Sequence, residues 1–159
     1  MKNVIVIVDD REDDRLLLDR TLRKLEVTNP ILHLEDGDEA IAYLRGEGRF
    51  SDRTIYPFPS MLFLDLKMPR MSGYQVLDWI QRQQMKDGLL VIVLSDLHAT
   101  EVISRAYHLG ADSFLIKPAK EEDLHEFILS FPSYWNLANR GVEVMTAERK
   151  AVAMEASER

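Results

Sequence analysis

The chain contains no cysteine. That excludes a disulfide framework, thiol catalysis and cysteine-based metal sites. It also has no apolar stretch approaching the roughly 20 residues that a membrane span requires. The apolar run at residues 4–8 follows Met1-Lys2-Asn3, but it is too short for a signal peptide and ends in acid. A cytoplasmic protein with no membrane association is therefore expected. Positive charge is in deficit, with 20 Lys and Arg against 27 Asp and Glu and a net charge of −7. Nucleic-acid binding by bulk electrostatics is not expected from such a balance. The four histidines, His33, His98, His108 and His125, are scattered and show no metal-ligand spacing. There is no internal repeat and no low-complexity tract. What remains is 159 residues of ordinary globular composition, 46% apolar and 30% charged, enough for one domain with a sizeable core.

Read in order, short apolar runs alternate with helical stripes. Val4-Ile5-Val6-Ile7-Val8 is β-branched throughout, reads as a central buried strand, and stops at Asp9-Asp10. Glu12, Asp13 and Asp14 follow as acids of a helix start, where the positive end of the helix dipole favours them. Leu18, Leu22 and Leu25 give that helix an inward stripe. Asn29-Pro30 marks a turn, and Ile31-Leu32-His33-Leu34 is a second strand. Asp36 caps a second helix with Glu39 three residues on, similar to a capping box, and Ala40, Ile41 and Leu44 face inward. Residues 49–60, with Pro57 and Pro59, read as an extended loop.

Met61-Leu62-Phe63-Leu64 runs into Asp65, and a turn to Pro69 follows. Ser72 caps a helix with Val76, Leu77 and Ile80 inward. Leu89 to Leu94 is a buried strand stopping at Ser95-Asp96. A helix from Thr100 or Glu101 places Ile103, Ala106 and Tyr107 inward, and Gly110 suits the left-handed residue that closes it. Ser113-Phe114-Leu115-Ile116 is the fifth strand, stopping at Lys117-Pro118, and Leu124, Phe127, Ile128 and Phe131 mark the last helix. Five strands alternating with five helices predict an α/β fold, a doubly wound parallel sheet with helices on both faces.

The polar residues at the strand ends then carry the chemistry. In a parallel sheet, Asp9 and Asp10, Asp65, Ser95 and Lys117 all lie at one edge, where such folds form binding crevices. Two unit charges about 4 Å apart repel by roughly 4 kcal/mol at an effective dielectric of 20. Three close carboxylates therefore take up a proton or hold a cation. All-oxygen ligands select a hard ion, and one or two carboxylates with waters and phosphate oxygens suit Mg²⁺. Beside such an ion Asp65 can act as an oxygen nucleophile toward a phosphoryl group, with Lys117 and the Ser95 hydroxyl holding the transferred oxygens.

Val8-Asp9-Asp10, Leu64-Asp65-Leu66-Lys67-Met68-Pro69, Leu94-Ser95 and Phe114-Leu115-Ile116-Lys117-Pro118 together resemble the receiver domain of two-component response regulators. Gly110-Ala111-Asp112 and Met68-Pro69 followed by Ser72-Gly73 strengthen the likeness. The resemblance covers residues 3–131 and implies a flavodoxin-like sheet in the order 2-1-3-4-5. It implies that a sensor histidine kinase donates its phosphoryl group to Asp65. It further implies that Mg²⁺ is bound by Asp10, Asp65 and the Lys67 backbone carbonyl, with Asp9 acting through water, and that Ser95 and Phe114 are switch residues. Pro57-Phe58-Pro59 and Ser133-Tyr134-Trp135 more narrowly resemble single-domain regulators of phytochromes, which makes a phytochrome-type photoreceptor kinase the expected donor. Asp96 departs from the small residue common after the switch hydroxyl, and Phe114 lacks the hydroxyl of a tyrosine.

The expected function is a phosphorylation-dependent switch that is not an enzyme in its own right. It would alter partner contacts, or a homodimer contact through the face of the fourth helix, fifth strand and fifth helix. Residues 132–159 are expected to form a C-terminal extension with no attached output module. Tyr134-Trp135-Asn136-Leu137 would pack back on the domain or face a partner, and Val144, Ala147, Ala151 and Met154 form a weak helical stripe within it. Two rivals are a pseudo-receiver scaffold that is never phosphorylated and a Mg²⁺-dependent aspartyl-phosphate phosphatase. The complete acidic set speaks against the first. The sequence Asp9-Asp10-Arg11, which lacks the D-x-D-x-T/V pattern, speaks against the second.

Overall fold

The computed structural model describes residues 3–138. Five strands, β1 (Ile5–Val8), β2 (Ile31–Leu34), β3 (Met61–Asp65), β4 (Leu90–Ser95) and β5 (Ser113–Ile116), form one sheet. All neighbours are parallel and the order is β2-β1-β3-β4-β5, as the sequence implies. Helices α1 (Glu12–Lys24), α2 (Gly37–Arg45), α3 (Gly73–Arg82), α4 (Thr100–His108) and α5 (Glu121–Ser130) make the crossovers. Among the described residues no helix is long and apolar enough to cross a membrane.

The period-2 alternation of the strands splits the core in two. Val6, Val8, Leu62, Leu64, Val91 and Val93 point to the face covered by α2, α3 and α4. Ile5, Ile7, Met61, Phe63, Ile92 and Leu94 point to the face covered by α1 and α5. β1, β3 and β4 are buried over their whole lengths, which is why they read as unbroken apolar runs. The sheet edges β2 and β5 are only half-buried.

Local signals act where the sequence places them. Asp36 accepts a hydrogen bond from the Glu39 N–H at 2.8 Å. Ser72 and Gln75 form a reciprocal capping box. Gly110, at φ +103°, closes α4 in a conformation that a side chain would strain.

Three expectations are corrected. On α2 the residue that joins Ala40 and Leu44 in the core is Tyr43, not Ile41. Tyr107 is 46% exposed, and Ile103 is only half-buried. The inward stripe of α4 is instead Val102, Ala106 and Leu109, with Ala106 fully buried against the sheet. Tyr107 lies about 100° further round the helix from Ala106 and so points out. Residues 49–60 are not simply extended. A 3₁₀ turn spans Gly48–Phe50. The rings of Tyr43, Phe50 and Tyr56 meet edge to face with centroids 5.1–6.2 Å apart. Tyr43 donates its hydroxyl hydrogen to the Pro57 carbonyl at 2.7 Å, and Arg53 donates to the Leu44 carbonyl at 2.8 Å. The segment is thereby pinned to the end of α2.

Beyond α5 the chain folds back. A 3₁₀ turn spans Pro132–Tyr134, and Trp135 is fully buried against Phe127. Leu137 bridges Val27 in antiparallel fashion. The stripe at Val144, Ala147, Ala151 and Met154 lies outside the described residues.

Candidate functional site

Each site residue is delivered by the end of an element. Asp9 and Asp10 follow β1 directly, Asp65 is the last residue of β3, Ser95 the last of β4, and Lys117 follows β5. Parallel register places these ends at one edge, with Asp65 opposite Leu94 and Ser95 opposite Ile116. Carboxylate oxygens of Asp9, Asp10 and Asp65 lie within 4.8 Å of one another. Asp9 and Asp65 are buried and Asp10 is exposed, so the cluster opens to solvent on one side.

Lys117 reaches into this cluster. Its Nζ donates to Asp9 at 2.5 Å and to Asp14 at 2.9 Å, and lies 3.5 Å from Asp65. The Arg11 N–H donates to the other Asp9 oxygen at 3.0 Å, and buried Arg15 donates to the Asp9 carbonyl at 2.5 Å. The Ser95 hydroxyl is buried and accepts from the Leu97 N–H at 3.1 Å, so it is engaged with its own loop. Phe114 is half-buried against the core on the α2-α3-α4 side. Lys67 is exposed, and its backbone N–H is near enough to the Asp65 carboxylate to favour the ionised form.

The backbone behind Asp65 is fixed by Gly73. The Gly73 N–H donates to the Leu66 carbonyl at 2.9 Å. A Cβ at position 73 would lie 2.3 Å from the Asp65 carbonyl oxygen and 2.7 Å from the Leu66 Cα. Both are backbone atoms that cannot swing away. Gly73→Ala is therefore expected to push α3 off the end of β3 and to lower stability by about 1–3 kcal/mol. Denaturant titration measures this, and an unchanged midpoint would show that the turn gives way freely.

The electrostatics explain what the site can hold. Burial, then the charge of Asp9, pushes the Asp65 carboxyl up to about 6, although Lys117 and the Lys67 N–H pull the other way. Burial also raises Asp9, only partly offset by its hydrogen bonds from Lys117 and Arg11. For Lys117 burial acts against the ammonium, but hydrogen bonds to Asp9 and Asp14 and the charges of Asp65 and Asp9 outweigh it, so it stays charged. One ammonium thus faces more negative charge than it neutralises. A close set of oxygen donors with unbalanced charge fits a hard divalent cation. Among the described residues, Asp9, Asp10 and Asp65 are the group placed to hold one.

The sequence pattern marks Asp9, Asp10, Asp65 and Lys117, and the fold brings them together. Ser95 lies at the same edge, but its hydroxyl is bonded to the Leu97 N–H rather than to Asp65. The pattern assigns Asp14 only to a helix start, yet Asp14 is bonded to Lys117. Its position one turn before buried Leu18 and two before buried Leu22 was the available signal, since i, i+4 and i+8 share a helix face.

The family model of the response regulator receiver domain matches residues 5–129. The chain belongs to this family. The receiver is 34% identical over 140 residues to the probable methanogenesis regulatory protein FilR2 of Methanothrix harundinacea, covering 86% of each chain. It is 27% identical over 132 residues to the response regulator Rcp1 of Synechocystis, covering 83% of the receiver and 88% of Rcp1. A solved structure of the Mn²⁺-bound form of Rcp1 superposes with a TM-score of 0.68, at 26% identity over 83% of the receiver and 93% of that chain. The phosphorylated cyanobacterial phytochrome response regulator RcpA superposes with a TM-score of 0.70, at 26% identity over 87% of the receiver and all of that chain.

Proposed function

We propose that this receiver is a cytoplasmic, phosphorylation-dependent switch in which Asp65 accepts a phosphoryl group from a sensor histidine kinase. The observation that carries the reading is the meeting of Asp9, Asp10 and Asp65 with the Lys117 ammonium at one sheet edge. The phosphorylated state of RcpA and the Mn²⁺ held by Rcp1 support it by likeness. The same relatives make a phytochrome-type photoreceptor kinase the favoured donor.

Mg²⁺ is the proposed ion, held by Asp10, Asp65 and the Lys67 backbone carbonyl, with Asp9 acting through water. Bound there, it shields the carboxylates and polarises the incoming phosphoryl group. A carboxylate oxygen of Asp65 attacks phosphorus and forms a P–O bond. The P–N bond to the kinase histidine breaks, and its electron pair stays on the imidazole nitrogen. No base is needed, because above about pH 6 the carboxyl of Asp65 is mostly ionised. Lys117 stabilises the transferred oxygens. Ser95 leaves its contact with the Leu97 N–H and turns toward them, and Phe114 moves inward behind it.

The output of the switch is a change in the α4-β5-α5 face. Tyr107 and Ile116 are exposed large apolar residues on that face, which suits a homodimer or partner contact. The chain promotes only its own phosphorylation and dephosphorylation, so it acts as a signalling protein. The test is incubation with acetyl phosphate and with candidate kinases, with and without Mg²⁺. One Mg²⁺-dependent, acid-stable and hydroxylamine-labile phosphoryl group per chain is expected. Absence of label together with absence of beryllofluoride binding would leave a pseudo-receiver scaffold, and turnover of phosphate esters would indicate a phosphatase.

A further inference from the structure

Lys117 has three N–H donors and, among the described residues, three carboxylate neighbours. Asp9 lies at 2.5 Å, Asp14 at 2.9 Å and Asp65 at 3.5 Å from its Nζ. Two of these neighbours, Asp9 and Asp65, belong to the trio placed to hold a divalent cation. Asp14 does not. A cation entering the trio would take up the negative charge of Asp9 and Asp65 and repel the ammonium. Asp14 is then the one partner whose attraction for Lys117 the cation leaves intact.

We propose that Asp14 is a positioning residue that keeps the Lys117 ammonium beside Asp65 when the neighbouring carboxylates hold a divalent cation. The inference rests on the phosphoacceptor reading of Asp65 and adds to it a residue outside the metal-holding trio. The placement suits the task. Asp14 stands in the first turn of α1, on the same face as buried Leu18, so the helix itself aims it at the sheet edge. Arg11, whose Nε is 3.6 Å from the same Asp14 oxygen, steadies it from outside. Lys117 is almost wholly enclosed, whereas Asp14 keeps about a quarter of its side chain in solvent. Holding the ammonium therefore costs Asp14 little desolvation.

The alternative position for the ammonium is also visible. A cavity of about 180 Å³ adjoins the site, lined by Arg11, Asp14, Leu17, Asp96, Lys117 and Pro118. Asp96 is exposed there. Without Asp14, a cation among Asp9, Asp10 and Asp65 would drive Lys117 into this space and toward Asp96. The phosphoryl oxygens would then lose their ammonium partner.

The test compares the wild type with Asp14→Asn, Asp14→Ala and Asp14→Glu, each checked for native circular dichroism. Calorimetry measures the affinity for Mg²⁺ alone and then for beryllofluoride at saturating Mg²⁺. The ¹⁵N-lysine side-chain spectrum follows the Lys117 ammonium through both titrations. Asp14→Asn and Asp14→Ala are expected to bind beryllofluoride about tenfold more weakly, the scale of one lost hydrogen bond to a charged group. Their Mg²⁺ affinity is expected to stay within about threefold of wild type, because Asp14 interacts with the ion only at a distance. The Lys117 signal should shift on Mg²⁺ addition in every protein, and clearly further in Asp14→Asn and Asp14→Ala than in the wild type. Asp14→Glu should restore most of the affinity. Unchanged beryllofluoride binding in Asp14→Asn would overturn the role of Asp14 and leave Asp65 as acceptor. A parallel loss of Mg²⁺ affinity would overturn it too, by making Asp14 part of the metal site. If the wild type itself took no beryllofluoride, both the acceptor reading and this one would fall.

Discussion

Asp65→Asn is expected to carry no phosphoryl label from acetyl phosphate or kinase while becoming more stable than the wild type in metal-free buffer at neutral pH. The loss of label follows from chemistry, since the amide has no ionised oxygen to attack phosphorus. The gain in stability follows from the raised pKa. In the folded chain the carboxyl of Asp65 titrates near 6, against an ordinary value of 3.8. Between those values the folded state keeps a proton that the unfolded chain has lost. For this group stability is therefore highest in acid and falls as pH rises through the window. By pH 7 the deficit from this group is on the order of 3 kcal/mol. Lys117 does not cancel this trend, because its raised pKa makes a contribution that is lost only in strong alkali. Thermal denaturation in EDTA at pH 4.5 and pH 7 checks the sign. The advantage of Asp65→Asn should be small in acid and large at neutral pH. A variant less stable than wild type at pH 7 would show that Lys117 already compensates Asp65 in full.

The second large effect is at the opposite edge of the sheet. Trp135→Ala should lower the stability of the fold by about 3–5 kcal/mol, the range for removing a large buried aromatic. Trp135 is 0% exposed and packs edge-on to Phe127 at 6.1 Å. It also anchors a polar strap. Asn29, fully buried, donates to the Asn3 carbonyl at 2.8 Å and the Tyr134 carbonyl at 3.0 Å, and accepts from the Asn136 N–H at 2.6 Å. The Thr28 N–H donates to the Asn136 carbonyl and the Ala138 N–H to the Glu26 carbonyl. These groups sit where β1 and β2 begin, whereas the carboxylates sit where the strands end. Urea unfolding should therefore show a large loss, while the folded fraction still binds beryllofluoride with wild-type affinity. A loss below about 1 kcal/mol would mean that the strap closes without its tryptophan. Among the described residues the indole Nε1 is buried without a hydrogen-bond partner, so Trp135→Phe should cost less than Trp135→Ala.

The two variants separate function from fold along the strand axis, and the functional end of that axis could be read from the chain alone. Strand existence and direction followed from unbroken apolar runs, and each run ends in a residue whose chemistry needs the open edge. Asp9, Asp10, Asp65 and Lys117 were legible because a strand end is a local feature and parallel pairing makes all such ends neighbours. The buried Asn29 was not legible. Asn-Pro has the local signature of a turn whether or not its side chain ties three distant segments together.

The sequence by itself determined the α/β alternation, the sheet order implied by its motifs, and the four segments that meet at the site. Only the tertiary structure decided that α4 turns Val102 rather than Tyr107 inward, that Trp135 closes the base of the sheet, and that Asp14 reaches Lys117. The reason is physical. Periodicity states that a helix has an apolar face, but the rotation of that face by one residue, about 100°, is chosen by packing against a sheet that the local sequence does not contain.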